Sequence, residues 1–512
     1  MRRAGTASAL LVAALVVTGC APAVDASWRP PAWPAAEVTV LDAPPAALDA
    51  AAAHLTPQRL RGGAVQARMA YLPGTGDVAA AFNARLDDLV RAAIAASGAD
   101  YAPTVGGRDG GLGDRGCVPG STLLPAAEVL ADPLLGPGSG SAAVCDVVVA
   151  GGDVVGERMR VVTGTPDGVT ADTTTILYID TATGELVTGT QLWIDEAAAT
   201  LRDDVVEAIR RSAGALSLAP IAPPDDAQTA LIAAGLDSTV PGGDGTLVFT
   251  LPAGFTAPEL AGLGVPATTE PLPISVPAGL VAELASPFGQ RVAAASDLPY
   301  AGPQAVPAGL DWVDCTLLPC VALTYDDGPS GYTPQLLDTL AATQSAATFF
   351  MLGQSAAGRG DLVRRVADEG HEVESHTWNH PSLPSLDDEE ISAQLTRTRD
   401  LLRQFSGQPV STFRPPYGEY DERVLRVAGL PAILWSVDTR DWEEPADDVL
   451  LSRGIDEPNP GGIVLFHDIH ERTVRLAPQI FDGLHDRGFT LVTLRQLFGG
   501  DLPTSGVWRS AD

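Results

Sequence analysis

Two adjacent carboxylates, Asp326 and Asp327, follow a short apolar run and lead into Gly328-Pro329. Adjacent side chains on an extended segment point in different directions, so one carboxylate can bind a metal ion while the other faces a substrate as a base. A solvated turn is the alternative, because Asp, Gly and Pro are common turn residues. The pair gains weight only if other residues of the chain supply the rest of a site.

Two histidines four residues apart, His376 and His380, are the second candidate group, and six of the seven histidines lie between residues 371 and 485. Imidazoles at this spacing converge on one ion in a helix or a tight loop. Together with an Asp they make a site of two imidazoles and one carboxylate that leaves positions open for water and substrate. A polar surface with incidental histidines is the alternative.

Three further segments carry polar residues just after strand-like runs. In the first, two prolines stiffen the loop after Arg414, so its guanidinium can hold a carboxylate and a backbone N–H can face an oxyanion. The second contains Asp438 and Asp441, and the third contains His467. Taken singly, each is equally consistent with a structural turn or a strand cap.

The elements that must position these residues form a repeating pattern. Between residues 320 and 498, strand-like segments alternate with helical ones, which predicts a parallel α/β architecture. About seven such units, with polar residues bunched after the strands, favour a barrel whose site lies at the carboxyl ends of the strands. Residues 37–300 mix strand and helix patterns and predict an α+β accessory region. Two small domains divided in the Gly-rich stretch 105–120 are one arrangement of this region that the pattern allows.

Taken in order, the five segments TYDDGP, HTWNH, RPPY, DTRDW and LFH resemble the motifs of the polysaccharide deacetylase family. This family is also called the NodB-homology domain or carbohydrate esterase family 4. The resemblance covers roughly residues 318–498 within a predicted catalytic domain at 312–498, and Tyr325 replaces the Phe of the first motif. It implies a distorted, incomplete (β/α) barrel that hydrolyses N-acetyl groups of a glycan.

The resemblance also implies roles for individual residues. Asp327, His376 and His380 would bind one divalent metal ion, most commonly Zn²⁺, with Co²⁺ or another divalent ion as an alternative. The metal would act as a Lewis acid and lower the pKa of the attacking water. Asp326 would be the base that takes a proton from this water, and Arg414 would hold Asp326 ionised.

The remaining motif residues would stabilise the intermediate and the leaving group. The backbone N–H of Tyr417 would donate to the oxyanion, and His467 would protonate the departing amine. Asp441 would keep His467 charged and oriented. Leu465 and Trp442 would form the apolar pocket for the acetyl methyl group.

The amino terminus predicts export. Arg2 and Arg3 precede an apolar run at residues 9–17 that is too short to cross a bilayer. The run ends in Val-Thr-Gly-Cys, which resembles a bacterial lipobox, so residues 1–20 are predicted to be a lipoprotein signal peptide with Cys20 as the lipidated residue. An ordinary signal peptide is the alternative. Residues 21–36 are rich in Pro and Ala and predict a spacer.

The other four cysteines predict two disulfides in an oxidising compartment. Their order favours Cys117–Cys145 and Cys315–Cys320. Zinc ligation by these cysteines is the alternative, although the chain has no C-x2-C pair.

Charge excludes some partners. The chain carries 64 Asp plus Glu against 32 basic residues, a formal net charge of −32. Such acidity argues against binding to nucleic acid or to an anionic membrane surface, and leaves the lipid anchor as the predicted membrane contact.

Together these features predict a lipid-anchored extracytoplasmic enzyme that removes N-acetyl groups from peptidoglycan, with N-acetylglucosamine as the favoured sugar. Alternatives are an O-acetyl esterase on xylan, a chitin-oligosaccharide deacetylase, and a non-catalytic glycan-binding or sensory lipoprotein. Residues 242–262 and 272–289 resemble an RsiV-type domain, which implies an accessory module that contacts glycan or lysozyme; a spacer domain is the alternative.

Overall fold

The computed structural model describes residues 37–46, 49–106, 111–215 and 221–511. The predicted signal peptide, its lipidation residue Cys20 and the spacer at 21–36 lie outside these ranges. Within them, every helix is too short or too polar to span a bilayer.

The front region, up to residue 295, contains two mainly antiparallel sheets flanked by helices. A six-stranded sheet has the order β2-β3-β4-β5-β6-β7, and a four-stranded sheet has the order β1-β10-β9-β8. Its strands are β1 (Thr39–Val40), β2 (Thr56–Gly62), β3 (Val65–Tyr71), β4 (Gly140–Gly151), β5 (Val154–Thr165), β6 (Gly168–Asp180), β7 (Leu186–Thr188), β8 (Val240–Gly243), β9 (Thr246–Leu251) and β10 (Leu272–Val276). Its helices are α1 (Asp49–Ala52), α2 (Asp77–Ser97), α3 (Ala126–Ala131), α4 (Ala197–Ser212), α5 (Asp226–Leu236), α6 (Pro258–Ala261), α7 (Ala278–Leu284) and α8 (Pro287–Ala295).

The Gly-rich stretch 105–120 belongs to the segment of chain that connects two neighbouring strands of the six-stranded sheet. Strand β3, before it, pairs in parallel with β4, after it, with Val65 opposite Ser141. A domain boundary at this stretch is therefore wrong. Pairing between strands that are seventy residues apart leaves no local mark in the sequence, which explains the error.

Both predicted disulfides are present. Cys117 and Cys145, whose Cα atoms are 5.0 Å apart, tie this connection to β4. Cys315 and Cys320 join the start of the predicted catalytic domain to the first strand of that domain.

From Cys320 onward, in the region predicted to be catalytic, strands alternate with helices. Its strands are β11 (Cys320–Asp326), β12 (Thr348–Met351), β13 (Glu372–Ser375), β14 (Ala432–Ile433), β15 (Val437–Asp438), β16 (Ile463–His467), β17 (Thr490–Val492) and β18 (Val507–Trp508). Its helices are α9 (Thr333–Ala342), α10 (Gly353–Ala357), α11 (Gly360–Asp368), α12 (Asp388–Ser406), α13 (Glu422–Ala428), α14 (Asp447–Ile455), α15 (Glu471–Asp486) and α16 (Leu494–Leu497).

Its main sheet is parallel and has the order β13-β12-β11-β16-β15. All seven residues of β11 are buried, as expected for a central strand covered on both faces. Phe413 continues the sheet beyond β13, bridging to Ser375 on one side and to Ala432 of β14 on the other. In the described residues no ladder joins β14 to β15. The predicted α/β fold is confirmed, and the ladder remains open in the manner of an incomplete barrel.

The front region packs against the amino end of β11. One buried hydrophobic cluster contains Phe82 and Leu86 of α2 together with Leu317, Leu318 and Cys320. The contacts therefore lie at the end of the sheet opposite the carboxyl ends of the strands, where polar residues collect.

Candidate active site

The polar motif residues meet at the carboxyl edge of the parallel sheet. Asp326 ends β11, and its register partner on β16 is His467. His376 directly follows β13, and the Phe413 bridge carries the next residue, Arg414, to the same edge. Residues up to 141 positions apart in sequence thus line one site because the strands are parallel and adjacent.

Asp327, His376 and His380 form a group that fits a divalent cation. Oδ1 of Asp327 lies 3.6 Å from Nε2 of each histidine, and the three ligand atoms are all within 4.8 Å of one another. This oxygen is buried and has no hydrogen-bond partner among the described residues. A buried carboxylate oxygen facing two imidazole nitrogens is a donor set expected of a divalent-metal site.

The protonation and orientation of His376 suit ligation. Burial lowers its pKa to about 3, so the ring is neutral at physiological pH. Its Nδ1 lies 2.8 Å from the carbonyl oxygen of Arg414, which can only accept, so Nδ1 carries the proton. The lone pair of Nε2 is therefore left for a cation.

Left-handed backbone conformations concentrate at these loops. Asp327, Thr377, His380 and Tyr417 have φ values of 72°, 71°, 64° and 63°, although none is glycine. Such conformations cost free energy and persist only where the surrounding structure imposes them. The loops are thus held in shapes that local preference does not favour.

Asp326 and Arg414 form a fully buried ion pair. Nη1 of Arg414 donates to Oδ1 of Asp326 at 2.7 Å and to Oγ1 of Thr324 at 2.8 Å, while Nε and Nη2 donate to the carbonyls of Ile433 and Leu434, both at 3.0 Å. Burial raises the pKa of Asp326, and Arg414 opposes this rise without cancelling it. The result is a carboxylate that is more basic than one in water.

Asp441 and His467 form a second pair. Oδ1 of Asp441 accepts from Nδ1 of His467 and Oδ2 accepts from its backbone N–H, both at 2.7 Å. Burial favours the neutral ring, but the hydrogen bond and charge of Asp441 outweigh it and raise the pKa of His467 to about 9. The imidazole is therefore a cation at neutral pH, with Nε2 as a proton donor.

The other predicted site residues differ in how much of their side chains is exposed. The ring of Tyr417 is 65% exposed and packs edge-on against His380, with ring centroids 4.5 Å apart. Trp442 is 54% exposed, whereas Leu465 on β16 is only 3% exposed. Leu465 thus offers little surface to a ligand, and most of the accessible apolar surface belongs to the two aromatic rings.

Two residues of the site escaped the sequence analysis. Thr473 donates to Oδ2 of Asp441 at 2.8 Å and completes the bonding of that carboxylate. Gln394 of α12 hydrogen-bonds the loop between His376 and His380. Both are ordinary helix residues in sequence, and only their place in the fold brings them to the site.

This chain is similar to several known proteins. Residues 314–430 match the polysaccharide deacetylase family. The chain is 39% identical over 183 residues to the peptidoglycan-N-acetylglucosamine deacetylase PgdA of Listeria monocytogenes, a match covering 36% of this chain and 39% of the relative. It is 36% identical over 196 residues to a chitooligosaccharide deacetylase of Sinorhizobium fredii, covering 35% of this chain and 91% of the relative. It is 35% identical over 178 residues to the peptidoglycan-N-acetylmuramic acid deacetylase PdaC of Bacillus subtilis, covering 35% of this chain and 38% of the relative.

Proposed function

Because this chain belongs to the polysaccharide deacetylase family, we propose that it is a metal-dependent hydrolase that removes N-acetyl groups from peptidoglycan N-acetylglucosamine. One observation carries the proposal. At a single sheet edge, the candidate metal ligands lie beside one carboxylate suited to accept a proton and one imidazolium suited to donate one.

Asp327, His376 and His380 would hold the cation, which we propose to be Zn²⁺. When bound, it supplies Lewis acidity toward the acetyl carbonyl and toward the attacking water. Two imidazoles and one carboxylate suit zinc and leave coordination positions open. Co²⁺ or another divalent ion is the alternative at the same ligands.

The protein groups supply the proton transfers. Asp326 accepts a proton from the attacking water while the water oxygen forms a bond to the acetyl carbonyl carbon. The backbone N–H of Tyr417 donates to the oxyanion that forms. His467 then gives its Nε2 proton to the amide nitrogen as the C–N bond breaks, so that acetate and a free amine leave.

The surface around the site supports a glycan substrate. Within the described ranges, the strongly exposed aromatic side chains are Tyr332, Tyr417, Tyr420 and Trp442, and all four lie in loops that follow strands of the catalytic region. Exposed aromatic side chains are common at binding surfaces, and flat rings suit the C–H faces of sugars. Their restriction to residues 332–442 of a chain of 512 residues argues against chance exposure.

The proposed anchor supports peptidoglycan as the glycan. Lipidation at Cys20, outside the described residues, would hold the enzyme at the outer face of the membrane beneath the wall. The named substrates of the Listeria and Bacillus relatives are peptidoglycan sugars. A chitooligosaccharide is the second candidate, supported by the Sinorhizobium relative.

We propose a positioning role for the front region. Arg91 of α2 contacts Asp314 at 2.5 Å, and the Tyr101 hydroxyl donates to the Leu317 carbonyl at 2.5 Å. These contacts act on the segment that leads into β11, far from the carboxyl edge. An accessory module that also contacts glycan or lysozyme is the alternative that the RsiV-type resemblance implies.

Acetate release by the purified protein tests the function. With Zn²⁺ or Co²⁺ present, we expect release from peptidoglycan and little from acetylated xylan, and we expect Asp327→Ala to abolish it. Absence of release from peptidoglycan and from chitooligosaccharides would overturn the proposal. In cells, mass spectrometry of muropeptides from a deletion strain should show increased acetylation, and an unchanged pattern would argue against peptidoglycan as substrate.

A further inference from the structure

The side chain of Gln394 reaches from outside the loop that carries both candidate histidine ligands and hydrogen-bonds it at several points. Its Oε1 accepts from the backbone N–H groups of Trp378 at 2.8 Å and Asn379 at 3.3 Å. Its Nε2 donates to Oδ1 of Asn379 at 2.7 Å. One amide thus satisfies three polar groups of Trp378 and Asn379, two of the three residues that lie between His376 and His380.

This loop has an unfavourable backbone shape. Thr377 and His380 adopt left-handed conformations, with φ values of 71° and 64°. Inside the loop, Oγ1 of Thr377 accepts from the backbone N–H of His380 at 3.1 Å. Strained segments of this kind need partners outside the loop to stay in place.

Two rigid elements supply these partners from opposite sides. The backbone N–H groups of Gly353 and Gln354, at the start of α10, donate to the carbonyls of Thr377 and Trp378 at 3.0 and 2.9 Å. Gln394 acts from α12, which is fixed by the buried side chains Ile391 and Leu395. The loop is therefore held between α10 and α12.

We propose that Gln394 is a positioning residue that sets the spacing of His376 and His380 before the cation binds. This inference rests on the proposed metal site. If the loop is already ordered, cation binding does not have to supply the free energy of ordering it. Loss of Gln394 should then weaken cation affinity while leaving the ligands themselves intact.

The test compares Gln394→Ala with Gln404→Ala, an exposed glutamine on the same helix. The cation dissociation constant is measured on the purified full chain with Zn²⁺ and a competing chelator. We expect Gln394→Ala to raise it about 10-fold to 100-fold and Gln404→Ala to leave it unchanged. Thermal unfolding of the metal-free proteins should be similar for the two variants.

A kinetic measurement separates positioning from catalysis. Excess Zn²⁺ should restore the kcat of Gln394→Ala, because the chemical groups remain. Gln394→Glu keeps the acceptor for two N–H groups but loses the donor to Asn379, so its affinity should lie between those of the wild type and the alanine variant.

The outcomes are distinct from those for the proposed function. If the wild type binds no divalent cation, the metal site itself is wrong. If the wild type binds Zn²⁺ and Gln394→Ala binds it equally well, only the positioning role is overturned. If Gln394→Ala is also less stable without metal, Asn379→Ala and Gln394→Glu decide, and wild-type affinity in both would overturn the role.

Discussion

Two sides of the candidate site each pair a buried carboxylate with a positively charged side chain: Asp326 with Arg414 on the Arg414 wall, and Asp441 with His467 on the Asp441 wall. The two pairs have opposite chemical uses. On one wall, Arg414 is permanently charged, so only Asp326 can change its protonation state. On the other, Oδ1 and Oδ2 of Asp441 accept three hydrogen bonds, and the titrating partner is His467. The pair whose carboxylate titrates, Asp326 with Arg414, therefore supplies a base. The pair whose imidazole titrates, Asp441 with His467, supplies an acid.

Burial contributes to both walls in the same direction, since it disfavours charge. It raises the pKa of Asp326 and would lower that of His467. On the Arg414 wall the cation only partly offsets burial, and the carboxylate becomes a better proton acceptor. On the Asp441 wall the carboxylate more than offsets burial, and the imidazolium persists well above neutral pH.

Removal of the proposed base, Asp326, should have the largest effect on catalysis. Asp326→Asn keeps an oxygen that accepts from Arg414 but removes the basic carboxylate. We expect kcat for deacetylation to fall about 1,000-fold, measured as acetate release at saturating Zn²⁺. Asp338→Asn, at an exposed carboxylate on α9, is the matched control. A kcat within a few-fold of wild type would show that another group takes the proton.

Removal of the acid should discriminate between substrates. His467→Ala should slow amide hydrolysis about 100-fold, because the amine must be protonated as it leaves. Hydrolysis of 4-nitrophenyl acetate should fall much less, since a phenolate leaves without a proton. The ratio of the two rates is the measurement, and equal losses on both substrates would refute the role of His467 as a proton donor.

The pH dependence reports on the Asp441 wall directly. Because the pKa of His467 is raised to about 9, the protonated donor is present below that pH and lost above it. We expect kcat/KM to fall as the pH rises through about 9. Asp441→Asn removes the charge that sustains the imidazolium, so the fall should move toward pH 6.5, the usual value for histidine. An unmoved alkaline limb would assign it to another group.

Part of this arrangement was predictable from the sequence and part was not. The motif order and strand–helix alternation placed Asp326, His376 and His467 at one sheet edge, because parallel strands bring their carboxyl ends together. The raised pKa of Asp326 was not foreseen. Arg414 was expected to hold it ionised, but the degree of burial depends on packing that the sequence does not display.

The contacts that single helix residues make with the site could not be predicted from the sequence either. Gln394 and Thr473 sit in amphipathic helices whose periodicity predicts the helix but not which polar residue meets a distant loop. The same limit applies to β3 and β4, which pair across the Gly-rich stretch that had suggested a boundary. Non-local pairing is fixed by the whole fold.

The smallest expected effect concerns the hydroxyl that completes the Asp441 wall. Thr473→Val removes one donor to Oδ2 of Asp441, but that oxygen keeps its bond from the backbone N–H of His467, so no buried acceptor is orphaned. We expect a loss of about 1 kcal/mol in the free energy of unfolding, measured by denaturant titration, and a kcat close to that of wild type. Thr339→Val, at a hydroxyl that only bonds within its own helix, is the control. A large loss of kcat in Thr473→Val would mean that the orientation of Asp441 depends on this hydroxyl. The charge and orientation of His467 would then require Thr473 as well as Asp441.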